Sequence, residues 1–383
     1  MSFIDQIKQS FDEQFKKRDA SVLGIDIGSS AIKLVQLRNE QGAVLLETYG
    51  EIALGPFGDS SVGAGVHLPP EMLAKALQEL IQGSGVTTTN CGVSVPFSAS
   101  LVKLIEIPAV DQKQLATVIP IEARKYVPVP ITEVQLDWFV VPETEQRLFD
   151  GSAHLDASEI EPLQKRLVLI VAMHNKLLQE YAEVFKLVGL TPDFYEIEVF
   201  SNIRSTIDRS LAPVAVLDLG AVTSKLCVVE LGIILASHVV QKGSQDITRA
   251  LSGSTHMSAT KAEQLKRQAG IMVDASSSEG AQVSHAATLT MEQVFSETRR
   301  VLIGFQRRYN KVITKVILTG GGAMLKGIED FARQQLEVEV EIAKPFAHVQ
   351  TPVFLDEVLK KTSPDFSVAV GLALRALHEN KPQ

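Results

Sequence analysis

The residues of this 383-residue chain that could do chemistry occur in two matching sets. The segments LGIDIGSSAIKLVQL and AVLDLGAVTSKLCVV each contain an aspartate, a glycine and a lysine in the same order. The aspartates, Asp26 and Asp218, are 218 − 26 = 192 residues apart. The same offset relates the glycines and the lysines, which are Gly28, Gly220, Lys33 and Lys225. The chain therefore contains one internal repeat per half.

Each copy has apolar residues on both sides of a short run of small or hydroxyl residues, which predicts a strand, a tight turn and a second strand. Such a turn leaves backbone N–H groups unobstructed and can cradle phosphate oxygens. An aspartate just before it cannot bind phosphate itself, so its presence implies a cation between the two. Two such hairpins facing each other would hold one Mg²⁺–polyphosphate from both sides.

A third motif, Thr319-Gly320-Gly321-Gly322, follows a short predicted strand. Three glycines at the end of a strand allow the backbone to approach a flat ligand closely. An ordinary strand-to-helix turn is the structural alternative for this motif.

The elements that must position the first hairpin form a predicted meander of three strands, followed by a helix at residues 69–82 and a strand at 91–95. An insert of about residues 96–162 follows and ends in a polar, acidic stretch at 142–162 that predicts an exposed loop. The apolar run at 166–172 predicts a central strand that resumes the first half.

The second half repeats the hairpin and then predicts helices at residues 245–251 and 260–269, a loop at 274–284 and a long helix at 291–309. We therefore expect a first domain at 21–211, with the insert inside it, and a second domain at 212–363, with a small subdomain at about 241–292. A helix within 364–383 is expected to return to the first domain. Residues 1–20 are expected to form an amphipathic segment, whose apolar positions are Phe3, Ile4, Ile7, Phe11 and Phe15.

The composition is that of a globular α/β protein, with 45% hydrophobic and 21% charged residues. A net charge of −8 argues against a broad nucleic-acid surface, because phosphate neutralisation needs clustered lysines and arginines. No apolar run approaches the roughly 18 residues that would cross a bilayer, and no signal peptide is recognisable at the start. These features predict a cytoplasmic protein. The two cysteines, Cys91 and Cys227, lie in apolar strand-like contexts and are expected to be core residues.

Two Asp-x-Gly hairpins and the late glycine triplet, in this order and spacing, resemble the superfamily of actin, sugar kinases and heat-shock chaperone ATPases. Within it the chain most resembles the PilM family of type IV pilus assembly proteins, which is similar to FtsA. The resemblance covers about residues 22–377. Besides the first hairpin, its carriers lie at 107–127, 134–139, 262–266 and 366–375. It implies an actin-like two-domain ATPase fold of duplicated ribonuclease-H-like domains, with an FtsA-type inserted subdomain.

The resemblance also implies ligands and roles for individual residues. ATP with Mg²⁺ would lie between the domains, with Asp26 and Asp218 orienting the metal. The phosphates would meet the two hairpins at Gly28, Ser29, Ser30, Ala31, Lys33, Gly220, Ala221, Val222, Thr223 and Ser224. Adenosine would be held by Gly320, Gly321, Gly322, Met324, Glu263 and Lys266, although the glutamate and lysine could equally be a solvated surface pair.

Two points depart from the pattern or leave it open. Ser244 stands in the segment Lys242–Ile247 where a second glycine is expected, which puts a close backbone approach there in question. The residue that would activate water for hydrolysis is Glu198 or Glu196, and either could instead be a structural carboxylate. Since phosphoryl transfer depends on positioning and electrostatics, such a site can bind Mg-ATP and still hydrolyse it slowly or not at all.

Three functions are compatible with these motifs. The first is an ATP-binding scaffold of pilus assembly that docks the N-terminal cytoplasmic tail of a PilN-like inner-membrane protein, in a groove between the first domain and the insert. Such a protein would lie at the inner face of the inner membrane through its partners, within the motor and alignment complex, and could self-associate. The alternatives are an FtsA-like filament for division or segregation and a small-molecule kinase of the same superfamily.

Overall fold

The computed structural model describes residues 21–150, 164–208, 210, 212–271 and 277–379. The predicted N-terminal amphipathic segment lies outside this part of the chain. The strands are β1 (Val22–Ile27), β2 (Ala31–Glu40), β3 (Ala43–Ala53), β4 (Asn90–Val95), β5 (Ser100–Pro108), β6 (Val134–Val140), β7 (Lys165–His174), β8 (Thr191–Ile197), β9 (Val214–Leu219), β10 (Ser224–Glu230), β11 (Ile233–Val240), β12 (Lys315–Thr319) and β13 (Glu339–Ile342).

The longer helices lie between and behind these strands. They are α1 (Pro70–Ser84), α2 (Gln112–Ala123), α3 (Glu143–Asp150), α4 (Asn175–Val188), α5 (Glu198–Thr206), α6 (Ser244–Thr255), α7 (Ala259–Ala269), α8 (Ser278–Tyr309), α9 (Ile328–Leu336), α10 (Asp356–Thr362) and α11 (Ser367–Glu379). Short 3₁₀ turns occupy Gly55–Gly58, Phe97–Ala99, Ile131–Glu133, Gly321–Met324, Val353–Leu355 and Ser363–Phe366.

Two five-stranded sheets share one topology. The first has the order β3-β2-β1-β4-β8 and the second has the order β11-β10-β9-β12-β13. In each sheet three antiparallel strands are followed by two parallel ones. The central strands β1 and β9 are buried along their whole length, as their apolar sequences require. This duplication confirms the predicted actin-like, two-domain α/β fold.

A third sheet, with the order β5-β7-β6, forms the insert. One of its faces packs on α2 through residues such as Ile107, Ile119 and Ile170. The prediction that residues 166–172 resume the first sheet was wrong, because this strand is the centre of the insert. Its uniformly apolar sequence is explained instead by burial on both faces of that smaller sheet.

Two predicted loops are also partly helical. Within the acidic stretch at 142–162, residues Glu143–Asp150 form α3, and its side chain Phe149 is buried in the core of the second domain. The loop predicted at 274–284 is helical from Ser278. Helix α8 begins there, 13 residues before Met291, where the apolar pattern predicted that the helix would begin. Polar composition indicated loops here, but tertiary packing decides.

The last helix, α11, packs against β1, β2, β4 and α5 of the first half. Contact is close enough to require glycine at two positions. A Cβ on Gly24 would lie 2.0 Å from the carbonyl oxygen of Ala369, and a Cβ on Gly371 would lie 1.9 Å from that of Ser201. The first sheet is thus covered on one face by residues from the far end of the chain.

Candidate functional site

The two predicted hairpins have identical pairing. Asp26 is opposite Lys33 in the β1–β2 ladder, and Asp218 is opposite Lys225 in the β9–β10 ladder. Both turns are closed by a glycine N–H, at 3.0 Å from Gly28 to Ala31 and at 3.1 Å from Gly220 to Thr223. The 192-residue repeat of the sequence is therefore a repeat of three-dimensional structure.

The glycine triplet forms the turn after β12, and this turn lies directly against the second hairpin. Gly320 has φ of +78°, and a Cβ there would be 2.1 Å from Asp218 Oδ1. A Cβ on Gly322 would be 2.7 Å from the side chain of Leu219. Only glycine fits these two positions, because the turn packs closely on the second hairpin. The close approach of this turn to a flat ligand stays a prediction.

The hairpins and the glycine turn line one cavity between the halves, here called the central cleft. It collects most of the predicted site residues, which are Asp26, Gly28, Ser29, Ser30, Ala31, Lys33, Glu198, Asp218, Gly220, Ala221, Glu263, Lys266, Gly320, Gly321, Gly322 and Met324. Sequence reasoning missed others that line it, namely Glu51, Gly63, Asn202, Lys225, Arg267, Met291, Leu325 and Asp365. Of these, Lys225 was recognisable as the repeat of Lys33.

The remaining predicted residues lie elsewhere. Val222 and Thr223 line a neighbouring groove, and the hydroxyl of Ser224 donates to the carbonyl oxygen of Lys242. Glu196 is on the far side of its strand, bound by Arg204 at 2.7 Å and Arg375 at 2.9 Å. It does not share a face with Glu198, because β8 ends between them and Glu198 opens α5.

The first hairpin carries a buried acid. Asp26 Oδ1 accepts a hydrogen bond of 2.7 Å from Ser94 on β4. Burial raises the pKa of Asp26 to about 6, with a further contribution from the charge of Glu198. Lys33 extends to Asp365, and this ion pair measures 2.5 Å. A positive ion beside Asp26 would offset the desolvation that raises its pKa.

The second hairpin has a tighter arrangement of charge. Lys225 Nζ lies 3.2 Å from Asp218 and 2.8 Å from Glu198. The other oxygen of Glu198 accepts a 2.6 Å hydrogen bond from the backbone N–H of Phe97. Burial opposes charge on Lys225, but the two carboxylates together raise its pKa above the usual value.

Glu263 and Lys266 form a buried pair on α7, with 2.7 Å between Lys266 Nζ and Glu263 Oε2. Thr248 and Arg267 also donate to Glu263, at 2.6 and 2.8 Å. Although burial opposes it, these cations and donors lower the pKa of Glu263 below its ordinary value. The solvated surface pair considered from the sequence is thus wrong, since the two residues belong to the wall of the cleft.

Ser244 stands where a second glycine was expected, and the close backbone approach is made by the residue before it. Gly243 makes the close approach, since a Cβ there would be 2.3 Å from the carbonyl oxygen of Ala221. The N–H of Ser244 donates to Gly220 at 2.9 Å, and its side chain lines the cleft without a clash. One glycine is enough at this turn.

A loop of the first domain crosses the cleft to the second. The N–H of Gly65 donates to Gln245 Oε1 at 2.9 Å, and the N–H of Val66 donates to the carbonyl oxygen of Ser29 at 3.0 Å. A Cβ on Gly63 would lie 2.8 Å from the carboxyl carbon of Glu263. We call residues 63–66 the crossing loop.

Six carboxylates and four cationic side chains line the central cleft, so its formal charge is negative; they are Asp26, Glu51, Glu198, Asp218, Glu263, Asp365, Lys33, Lys225, Lys266 and Arg267. A bare polyphosphate would be repelled by this balance, whereas one neutralised by a divalent cation would not. Among the described residues, no three His, Cys, Asp or Glu side chains form a ligand set that could hold a metal alone.

A second cavity, the side groove, lies between the first domain and the beginning of the insert. Its volume is about 450 Å³. The walls are mostly apolar, with several hydroxyl groups and four ionisable side chains. The apolar and hydroxyl-bearing residues include Leu54, Val66, Leu68, Leu73, Pro96, Ser98, Ala99, Leu177, Tyr181, Val184, Val222 and Thr223, and the ionisable ones are His67, Glu180, Glu198 and Lys225. This lining suits an extended peptide with apolar side chains.

Comparison with known proteins identifies the family. A family profile described as "Type IV pilus assembly protein PilM" matches residues 24–377. The chain belongs to the PilM family. This confirms the resemblance seen in the sequence, which rested on the hairpins, the insert and the last helix.

Solved structures agree on the fold of this family member. A structure titled "PilM-PilN type IV pilus biogenesis complex" matches with a TM-score of 0.76 and 24% identity, over 94% of this chain and 99% of that one. The ethanolamine utilization protein EutJ from Carboxydothermus hydrogenoformans matches with a TM-score of 0.54 and 14% identity, over 97% and 99% of the two chains. A MamK double helical filament matches at 0.51 and 14%, over 94% and 99%. The fold of this chain is thus actin-like.

Over the described ranges, none of the helices combines the length and the hydropathy that a bilayer span requires.

Proposed function

We propose that this PilM-family protein is a scaffold of type IV pilus assembly that binds Mg-ATP in the central cleft and a PilN-type tail in the side groove. The observation that carries the nucleotide proposal is the pair of identical hairpins lining one cavity that a glycine turn closes. Family membership carries the assignment to pilus assembly.

In this proposal each part of the cleft has a role. Backbone N–H groups at residues 29–31 and 221 would bind the phosphates, because those of Gly28 and Gly220 already close the turns. Lys33 and Lys225 would act as point charges. Asp26 and Asp218 orient the Mg²⁺ through water, and the metal neutralises the phosphates when bound. Met324 and the glycine turn contact the adenosine, while Glu263 and Lys266 meet the ribose and the base edge.

We infer that hydrolysis is weak or absent. A general base must reach the attacking water with a free acceptor. Glu198 lines the cleft, but each of its oxygens already accepts a hydrogen bond, from the Phe97 N–H and from Lys225, and these bonds fix the direction of its remaining lone pairs. Glu196 is outside the cleft. Tight binding without fast turnover is compatible with a scaffold, because nucleotide would act as a structural ligand.

The side groove carries the partner proposal. The resemblance implies a PilN-type tail between the first domain and the insert, and a peptide in the side groove would make apolar contacts and backbone hydrogen bonds. The solved complex of the similar structure is titled as one of PilM with PilN, which supports a partner of this kind. Through that partner the protein would lie peripherally at the inner face of the inner membrane, next to the pilus motor and alignment complex.

The nucleotide proposal is tested by titrating the purified protein with a fluorescent ATP analogue in the presence and absence of Mg²⁺. We expect metal-dependent binding that Lys33→Met and Asp218→Asn each weaken at least tenfold. Glu106→Gln, an exposed change in the insert, should leave binding unchanged. Binding that is equal without Mg²⁺, or unaltered in both cleft variants, would contradict the proposal.

The partner proposal is tested with a labelled peptide of the N-terminal tail of the PilN protein from the same genome. We expect a Kd of micromolar order that Leu177→Ala weakens several-fold, since this residue lines the groove. Substitutions in the insert near residues 98–99 should weaken it too, while Asp26→Ala should leave direct contact in place. If no tail binds and ATP instead drives sedimentation of polymers, the filament alternative replaces the scaffold.

A further inference from the structure

The central cleft and the side groove share a wall. Four residues line both cavities, namely Gly28, Ser29, Glu198 and Lys225. The two sites are thus separated only by the turn of the first hairpin and by one ion pair. A ligand in either cavity contacts groups that a ligand in the other also contacts.

Glu198 occupies a special place in this wall, because it joins three parts of the molecule. It belongs to the first domain, at the start of α5, and is 7% exposed. One oxygen accepts from Phe97 N–H, at the point where the chain enters the insert. The other accepts from Lys225, in the hairpin of the second domain.

The residues on the insert side of Glu198 form part of the groove. Pro96, Ser98 and Ala99 line it, and Phe97 lies between them in a 3₁₀ turn. The side chain of Phe97 is buried in a cluster with Val102 of the insert. Movement of this turn would therefore change both the groove and the hydrogen bond to Glu198.

We propose that Glu198 is a positioning residue that couples the two sites, so that Mg-nucleotide in the cleft and a peptide in the groove tighten each other's binding. The identity of the two ligands rests on the proposed function. The coupling rests on the contacts of Glu198 and on the shared wall.

The same contacts indicate that each ligand should strengthen the binding of the other. Nucleotide phosphates would fix the turn at Gly28 and Ser29 and hold Lys225. These three residues belong to the shared wall and therefore also line the side groove. A peptide would then meet a wall that is already ordered, and less ordering remains to oppose its binding. Breaking the bonds of Glu198 would leave a buried carboxylate unpaired, which makes an independent movement of the turn costly.

The experiment measures two affinities in full-length protein: that of the labelled PilN tail peptide with and without Mg-ATP, and that of Mg-ATP with and without the peptide. Reciprocity requires the same factor in both directions. We expect a factor of at least about five, within the usual range for coupled sites. Glu198→Gln keeps an acceptor for the Phe97 N–H but loses the charge that holds Lys225. In this variant we expect the factor to fall to within twofold of one.

Leu177→Ala is the matched control. It removes an apolar contact of the groove at a residue that does not line the central cleft, so it should weaken peptide binding while leaving the coupling factor unaltered. A factor lost in this variant as well would show that weak binding alone removes coupling, and would overturn the role of Glu198.

A second measurement needs no variant. Hydrogen exchange at the amides of residues 97–100 should slow when Mg-ATP is added without peptide. Unchanged exchange, a wild-type factor of one or less, or a factor that persists in Glu198→Gln each overturns the inference. Failure of the peptide or of ATP to bind wild-type protein at all overturns the proposed function instead, and this inference with it.

Discussion

At the scale of single residues, the two copies of the hairpin have the same backbone but different charge partners. Lys225 pairs with Asp218, its own neighbour in the ladder, and with Glu198. Lys33 instead pairs with Asp365, which comes from the segment just before α11. Asp26 is left with a serine as its hydrogen-bond donor. The first aspartate is therefore the less compensated of the two, and burial raises its pKa.

Asp26→Asn is expected to stabilise the ligand-free protein at pH 7.5. Burial raises the folded-state pKa of Asp26 to about 6, from an ordinary value of 3.8. Folding therefore favours the protonated form, and stability falls as pH rises from about 4 to 6. The cost is about 2 to 3 kcal/mol above pH 7. The gain from asparagine should be larger at pH 7.5 than at pH 5, as measured by denaturant unfolding.

The same variant should lose the stabilisation that Mg-ATP gives, because asparagine carries no charge for the metal. Ser94→Ala serves as a comparison that removes the hydrogen bond but keeps the acid. A stability gain in Asp26→Asn that does not depend on pH would show that Asp26 is not the titrating group.

At the scale of elements, the turns are more constrained than the strands they join. The glycine turn after β12 fits only because Gly320 has a positive φ and no Cβ near Asp218. Gly243, at the start of α6, likewise has no Cβ that would clash, in this case with the backbone of Ala221. These turns fix the shape of the cleft, while the long helices pack in the hydrophobic cores.

Gly320→Ala is expected to destabilise the protein by about 1 to 3 kcal/mol, because the new Cβ would clash with Asp218 and the backbone would be strained. Mg-ATP binding should be lost with it. Gly83→Ala is a suitable control, since this exposed helical glycine has no atom within 4 Å of an added Cβ. It should be neutral or stabilising by at most about 1 kcal/mol. Thermal unfolding and nucleotide titration of both variants measure the difference, and equal effects would contradict it.

The short helix α3 attaches the insert to the second domain. Phe149 is buried in that domain's core, and Lys311 donates to the carbonyl oxygen of Leu148 at 2.9 Å. Phe149→Ala should weaken the packing of α3 on the second domain by about 3 to 5 kcal/mol. Hydrogen exchange should rise mainly in α3 and in the facing part of the second domain. Leu148→Ala, at a half-exposed neighbour, should change little, and a uniform rise across both domains would argue against a local anchor.

The two hairpins and the glycine turn were predicted from the sequence for a physical reason, and the family resemblance extended the prediction to the fold and to most of the cleft. Repeated turns and glycine runs are local, and their chemistry is visible in a few adjacent residues. Asp365 and Glu51 were missed because they reach the cleft only through tertiary structure. Ser94 was missed for the same reason, since it reaches Asp26 from another strand. Tertiary packing also explains α3, where polar composition suggested a loop, and β7, where the apolar run suggested the wrong sheet.

At the scale of the whole molecule, the halves are connected on both sides of the cleft. The insert contacts the second domain through α3 and through β5, whose Val102 carbonyl oxygen accepts from Ser237 at 3.3 Å. On the other side, the crossing loop bonds to Gln245. Separation of the halves must break one of these connections, so release of a bound nucleotide should depend on them.

Gln245→Ala is expected to speed nucleotide release several-fold, since it removes the acceptor of the Gly65 N–H. Stopped-flow chase of a fluorescent nucleotide measures this rate. Gln135→Ala, an exposed change on β6, should leave the rate unaltered. An unchanged rate in Gln245→Ala would mean that the crossing loop does not limit release.

The position of α11 has a consequence for how the protein is made. Its residues cover β1, yet they follow every described strand of both sheets in the chain. The second sheet, by contrast, is complete once β13 has emerged. During translation the second sheet can therefore be completed while the first still has an apolar face that stays exposed until α11 has emerged.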